Sequence, residues 1–472
     1  MKKLLICAAN ITQLDNFFDS NFIENIKSDY NLDFLIGKVN YDDKKRLNRI
    51  KKYGNIVESS NIHTFTTKNS IRKKINLFCY FGNEILKNKN RFKEDFLIKR
   101  TLEVNAPKLI KLFTIIYRLR ILKILVKFFL FFLRKNPLSI LKINNIRNYE
   151  LVIIAYKIYD PTSFVDELIR YCKSKKILTY GVQINWDALV FRIPLEIPNF
   201  LAVWGEQSFS FSVGLHEIAP FRIFPTGPLA FDIYRNNKIT KENARKNLDL
   251  PINGKIIAVC LSDIVFDDIF LVNEINKHLN TGTFSENTYF YFKGYRYGKE
   301  LTLKNSYKLE YNKEFENTKL HKNIFFWDPD NINLDKRDYF KNFFKAFDGI
   351  ISTFSTMTVE ASLHDIPSVA LHYDPSKYGV RTYGFPFKLY SYHLYALRNQ
   401  EGLIFCNSRE ELKNSINRIL DFNNSPKMNN YLQKIPLSSV YFGQESSSDK
   451  LKESIKIILE KGSRDSSFIG YK

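Results

Sequence analysis

Residues 350–374 read IISTFSTMTVEASLHDIPSVALHYD. Apolar Ile350 and Ile351 close a strand that follows Phe347-Asp348-Gly349. Ser352, Thr353, Ser355 and Thr356 then crowd hydroxyls into one turn. Met357 to Leu363 has helix-forming composition and stops short of Pro367, which cannot continue a helix. Ser368 to Tyr373 is apolar enough for a second strand. Strand, polar turn, helix and parallel strand make one α/β unit, and the rest of the chain is read around it.

The turn suits an anion. A helix N-terminus presents unpaired N–H groups and the positive end of the helix dipole. Hydroxyls of Ser355 and Thr356 add donors at the same place, where a phosphate or diphosphate fits. Glu360, about one turn deeper on the same face, is placed to accept hydrogen bonds from ribose hydroxyls. The plainer reading makes Ser355 or Thr356 a helix cap and Glu360 a solvated carboxylate. The residues alone leave both open.

The Thr358-Val359-Glu360 triplet, followed by a small residue and a proline-led strand, resembles the donor-binding segment of GT-B glycosyltransferases. It is similar to the peptidoglycan N-acetylglucosaminyltransferase, and more so to bacterial transferases of surface-polysaccharide (capsule, O-antigen) synthesis. A second set of residues carries the same resemblance: Gln183-Ile184-Asn185-Trp186-Asp187, Val203-Trp204-Gly205-Glu206 and Pro225-Thr226-Gly227-Pro228. The resemblance implies an α/β fold of two Rossmann-like domains facing across a cleft. Residues 1–235 would form the acceptor domain and 236–461 the nucleotide-sugar domain, with a tail at 462–472. In this fold the closing helix packs back on the first domain. The implied substrate is a nucleotide sugar, with no cofactor and no metal. An Asp-x-Asp at Asp328 and Asp330 lies late in the chain and reads as a turn, since a metal-dependent GT-A site places it in the first half.

The bulk properties agree with an enzyme that meets polyanions. The chain has 472 residues, enough for two domains, and a net charge of +22, which favours phosphorylated substrates, anionic membranes or nucleic acid. No helix-turn-helix, zinc or RNA-recognition pattern accompanies the charge, so nucleic acid is set aside as a partner. The five cysteines are odd in number and widely spaced, which suggests neither disulfides nor zinc and points to a reducing cytoplasm. The start, MKKLLICAANITQLDNF, reads as a strand rather than a signal peptide because its apolar run is short and soon polar.

In the first domain, strands are expected at Leu4–Ala9, Asn31–Gly37, Leu151–Ala155, Ile177–Gln183 and Ala202–Trp204, with one helix from Phe17 to Ile26. His63 is a candidate general base by its near-neutral ionisation, against an ordinary surface role. Asp187, at a strand's carboxyl end, is a candidate base or acceptor-orienting carboxylate, against a turn-forming role. Residues 70–148 form a basic helical insertion with no Asp or Glu between Val104 and Tyr149. Within it RILKILVKFFLFFLR, 120–134, puts Arg120, Lys123, Lys127 and Arg134 on one helical side, with Phe and Leu over the rest. Its apolar run is too short to span a bilayer, so it reads as an interfacial helix on an anionic membrane, or as a buried helix with lysines at its rim.

In the second domain, strands are expected at Lys255–Leu261, Thr288–Phe292, Asn323–Trp327 and Leu403–Cys406. The resemblance assigns donor contacts at their ends: Ser262 after the first, Lys293 or Arg296 on the leaving diphosphate, Phe326 and Trp327 near the base, and Asp374 on the sugar. Lys293 and Arg296 read equally as a surface basic turn, and Phe326 as core. The function implied is sugar transfer from a nucleotide donor to a lipid-linked or membrane-proximal glycan, by an enzyme peripheral on the inner face of the cell membrane. A CMP-sugar (sialyl-type) transferase, a sugar-nucleotide 2-epimerase and a nucleic-acid-binding protein are the alternatives. The first lacks its His-Pro pair here, and no acid/base cluster marks the second.

Overall fold

The computed structural model describes residues 1–37, 44–57, 71–87, 121–135, 146–156, 164–189, 194–235, 237–260, 268–293, 319–326, 334, 336–353, 355–373, 403–422 and 440–461. The chain divides into two compact units, Met1–Arg235 with Ser439–Lys472, and Asn236–Ser438.

The first unit holds a seven-stranded sheet of β1 (Lys2–Ala8), β2 (Tyr30–Ile36), β3 (Asn55–Ile56), β4 (Leu151–Tyr156), β5 (Leu178–Gln183), β6 (Phe200–Val203) and β7 (Ile223–Pro225), in the order β3-β2-β1-β4-β5-β6-β7. All its pairings are parallel. Parallel strands are covered on both faces, which is why LLICA and LVIIAY read as unbroken apolar runs and are buried throughout. One face packs on Phe17, Phe22 and the closing helix Ser447–Lys461 through Leu451, Ile455 and Ile458. The other packs on Leu168, Ile169 and Cys172 of the helix Val165–Ser174. Gly227 has φ +89°, and a Cβ there would stand 2.5 Å from the Tyr441 carbonyl and 2.7 Å from the Ser447 hydroxyl. Glycine thus lets the returning chain lie against the end of β7.

The single helix expected from Phe17 to Ile26 is two helices, Asp15–Asp19 and Phe22–Ile26. Asn21 between them sits in the left-handed region at φ 64°, which a continuous helix forbids. The Ser448 hydroxyl donates to the Ser20 carbonyl at 2.6 Å and takes up the acceptor that the break exposes.

The insertion contributes two described helices, Ile71–Lys87 and Leu122–Lys135. They share a small core of Cys79, Tyr80, Leu122, Val126, Leu133 and Leu195. Ion pairs to two buried carboxylates, Glu167 and Glu196, fasten them to the sheet layer. Arg72 donates to both carboxylate oxygens of Glu167, at 3.0 and 2.8 Å, and Arg134 to Glu196 at 2.9 Å. Fully buried Arg170 lies between, 2.5 Å from Glu167 and 2.9 Å from Glu196. The neighbouring Asp166 accepts the Glu196 N–H at 3.1 Å, and burial pushes its carboxyl up to about 7 against the pull of Arg170. An unfolded aspartate loses its proton near 4, so between roughly pH 4 and 7 the folded state binds more protons. Stability contributed by this group therefore falls as pH rises through that window and is level above it. Asp166→Asn keeps the acceptor and removes the titration. Denaturant unfolding of the first unit should show a shallower decline from pH 5 to pH 7 in the variant than in the parent.

The second unit holds a six-stranded sheet of β8 (Lys255–Cys260), β9 (Thr288–Lys293), β10 (Ile324–Phe326), β11 (Gly349–Thr353), β12 (Ser368–Leu371) and β13 (Leu403–Cys406), in the order β10-β9-β8-β11-β12-β13 and all parallel. Gly349 opens β11, where a Cβ would meet the Ile419 side chain at 2.1 Å. Its absence lets the helix Leu412–Leu420 close over the sheet. Buried Asp348, just before β11, accepts from Arg245, the Ile256 N–H and Lys241. It ties the helix Lys241–Asn247 to the sheet's edge of entry.

Candidate functional site

The strand order of the second unit fixes where its ligand site can form. The chain lays β8, β9 and β10 in one direction, then returns to place β11 on the other side of β8. In open sheets of this kind crossovers diverge at such a switch point, and ligands bind outside the carboxyl ends of the strands, here those of β8 and β11. In register there, Cys260 lies opposite Lys293 on one side and Ser352 on the other.

From β11 the chain turns at Ser355 into the helix Thr356–Ser362. The Ser355 oxygen accepts the Met357 N–H at 3.3 Å, so Ser355 is the cap. A hydroxyl that accepts this bond keeps its own proton to donate. Below it, Ser352 and Thr358, both fully buried, hold their hydroxyl oxygens 3.4 Å apart and pin the helix's first turn over the strand. Ser355, Thr356 and Glu360 are half-buried.

Two charges from distant parts of the sequence act on the end of β8. Burial pushes the Cys260 thiol up to about 12, while the Lys293 ammonium pulls it down and the Glu360 carboxylate pushes it further up. The field of both groups thus falls on one side chain at the end of β8. Lys293 is held by rings of the helix Lys336–Ala346, its nitrogen 5.4 Å from the Phe340 centroid and 6.0 Å from that of Phe343. Such cation–π contact steadies the cation without neutralising it. At the end of β10, Phe326 is 37% exposed and stacks on Phe292 at 5.7 Å and 30°. It presents a flat apolar surface rather than a fully buried core contact.

No family model matches the chain, and no curated protein does. Solved structures do. UDP-GlcNAc 2-epimerase from Neisseria meningitidis, bound to UDP-GlcNAc, is 9% identical with a TM-score of 0.53, over 98% of this chain and 100% of its own. A putative UDP-N-acetylglucosamine 2-epimerase from Listeria monocytogenes is 11% identical with a TM-score of 0.53, over 98% of each chain. A glycosyltransferase from Rickettsia africae is 11% identical with a TM-score of 0.51, over 98% of this chain and 99% of its own. The fold is GT-B. At such identities the likeness carries the α/β architecture of two Rossmann-like units and no residue role.

Of the residues singled out in the sequence, Ser355, Thr356, Glu360 and Lys293 gather at the carboxyl ends of β8, β9 and β11, with Phe326 at the end of β10. His63, Ser262, Arg296, Trp327 and Asp374 lie outside the described residues, as do Asp328 and Asp330. Asp187 falls in a short turn, Trp186–Leu189, and its side chain is likewise outside them. The second resembling segment is a structural clamp. Gln183 accepts the Trp204 N–H and its carbonyl accepts the Trp204 indole, both at 2.9 Å, which locks the ends of β5 and β6 together. Sequence reasoning missed Cys260, Phe292, Phe340 and Phe343. Only the register of β8 with β9, and the packing of a helix that follows much later, bring them to Lys293. Among the described residues no cluster of His, Cys, Asp and Glu suits a metal ion.

Proposed function

We propose that the protein is a metal-independent glycosyltransferase. It moves a sugar from a nucleotide-sugar donor to a lipid-linked or membrane-proximal glycan of the lipopolysaccharide or capsule type. The supporting observation is the placing of Lys293 at the end of β9 and of the Ser355-capped helix that carries Glu360 after β11, on the two sides of β8 at the switch point of the second unit's sheet.

Each group then has a role. Lys293 balances the charge that grows on the departing diphosphate, the largest charge change in the reaction. The Ser355 and Thr356 hydroxyls donate to phosphate oxygens, and Glu360 accepts from the ribose hydroxyls. Phe326 offers a face for the base, with Trp327 beside it in sequence. Ser262, Arg296 and Asp374 complete the donor contacts, Arg296 on phosphate and Asp374 on the sugar. The acceptor belongs to the first unit, where Asp187 or His63 takes the acceptor proton. The enzyme works as a peripheral protein on the cytoplasmic face of a bacterial membrane.

Product analysis tests this. With a donor and a polyprenyl-linked glycan, free nucleoside diphosphate should appear only when the acceptor is present. Isomerised nucleotide sugar formed without acceptor would instead make the protein a 2-epimerase, and neither product would remove the reading.

A further inference from the structure

The helix Leu122–Lys135 is apolar on two opposite sides, and among the described residues one of them is buried against a partner helix. Leu122, Val126 and Leu133 are buried against the helix Ile71–Lys87. At about 100° per residue, Ile121, Ile124, Phe128 and Phe131 form a second stripe on the far side. They are 44, 67, 60 and 59% exposed. The lysines of the same helix border this second stripe. Lys123 and Lys127 are exposed along one edge, and Lys135 is exposed with its nitrogen 5.7 Å from the Phe131 ring centroid. A face evolved for plain solvent does not carry four large apolar side chains in helical register.

We propose that this stripe is a wedge that enters an anionic lipid surface, with Phe128 and Phe131 among the acyl chains and Lys123, Lys127 and Lys135 on the lipid phosphates. Charge decides the occupant. From Val104 to Tyr149 the sequence has ten Lys and Arg and no Asp or Glu. A second copy of this face would meet like charge, whereas an anionic headgroup layer pairs with every lysine while its interior takes the rings. The length agrees: a helix lying flat buries one apolar stripe and needs no run long enough to cross, and among the described residues no helix is long and apolar enough to do so. The wedge is rigidly seated. Arg134 of this helix bonds Glu196, and the Leu133 carbonyl accepts from Arg72, which itself grips Glu167. Lipid contact is thereby passed to the sheet of the first unit through ion pairs to the buried carboxylates of Glu167 and Glu196 rather than a loose tether. This deepens the membrane-proximal part of the reading above and does not depend on the sugar chemistry.

Flotation of the full chain tests it, with vesicles of phosphatidylcholine alone and of phosphatidylcholine mixed with phosphatidylglycerol. The parent should float with the anionic vesicles and retain part of that binding in about 0.5 M salt, where charge alone is screened. Phe128→Ser with Phe131→Ser, both on the exposed face, should lower the partition on the order of thirtyfold with an unchanged circular dichroism spectrum. Phe128→Trp should gain emission that brominated lipid quenches beyond the background of the native tryptophans. A double variant that floats as the parent does, with unquenched Trp, would overturn the wedge and leave a purely electrostatic attachment. A parent that floats with neither vesicle would overturn the wedge and the peripheral attachment together. A dimer that the double variant abolishes would assign the stripe to a second copy and overturn the lipid reading.

Discussion

Glu360→Ala is expected to weaken nucleotide binding on the order of a hundredfold, the sum of two hydrogen bonds to a charged acceptor. Glu360 sits one turn inside the helix that follows β11, half-buried, and close enough to Cys260 to act on its thiol. A carboxylate there accepts from both hydroxyls of a cis-diol at once. Glu360→Gln keeps one good acceptor and should lose far less. The pair of variants separates a ribose contact from a general loss of charge, because a purely electrostatic role would make them equal. Calorimetry with the best-binding nucleotide reads the difference directly. Undiminished affinity in Glu360→Ala would remove the ribose role. The helix should survive the change, since its cap is Ser355 and its buried contacts are Thr358, Val359, Ala361 and Ser362.

Asp348→Ala should cost about 3–5 kcal/mol in the stability of the second unit, or roughly 10 °C in its melting transition. Asp348 is only 6% exposed, and its two oxygens accept from Arg245 at 2.7 Å, from the Ile256 N–H at 2.8 Å and from Lys241. Removing it strands a guanidinium whose side chain is 4% exposed and a backbone N–H inside the sheet. The Arg245 fork also holds the carbonyls of Ala346, Ile252 and Gly254, so the chain entering β11 loosens with it. Asp348→Asn keeps acceptor geometry and loses the charge, so it should fall between. Scanning calorimetry that finds no transition moved by Asp348→Ala would show that the ion cluster is not what secures β11.

The fold was legible because a parallel sheet buries both faces of each strand. Runs such as LLICA, LVIIAY and KIIAVC have no amphipathic alternative in a folded protein. Their ends were found to within a residue or two. The break at Asn21 was not legible, since Phe17 to Ile26 has helical spacing and the kink is held by contacts with the distant closing helix, among them Ser448 on the Ser20 carbonyl and Lys452 on the Asn25 carbonyl. The site was legible in part. A hydroxyl-rich turn before a helix and a glutamate one turn later can be read locally, and both lie where the reading put them. That Cys260, Lys293 and Glu360 share one neighbourhood depends on the order β9-β8-β11, which no local pattern encodes. The insertion shows the same limit. Its basic side and apolar side are periodic in the sequence, but which apolar side is buried depends on the partner helix. Arg72, Arg134, Glu167 and Glu196 come from four separate segments.

Every role proposed above needs the second unit to grip a sugar nucleotide at the carboxyl ends of β8, β9 and β11. Titrating the full chain by calorimetry with UDP-, GDP-, CMP-, CDP- and dTDP-sugars tests it most directly, with Lys293→Ala beside the parent. Saturable binding of at least one donor, weakened when Lys293 is replaced, is the expected result. No heat of binding from any of them at millimolar concentration, or binding indifferent to Lys293 and Glu360 alike, would contradict it.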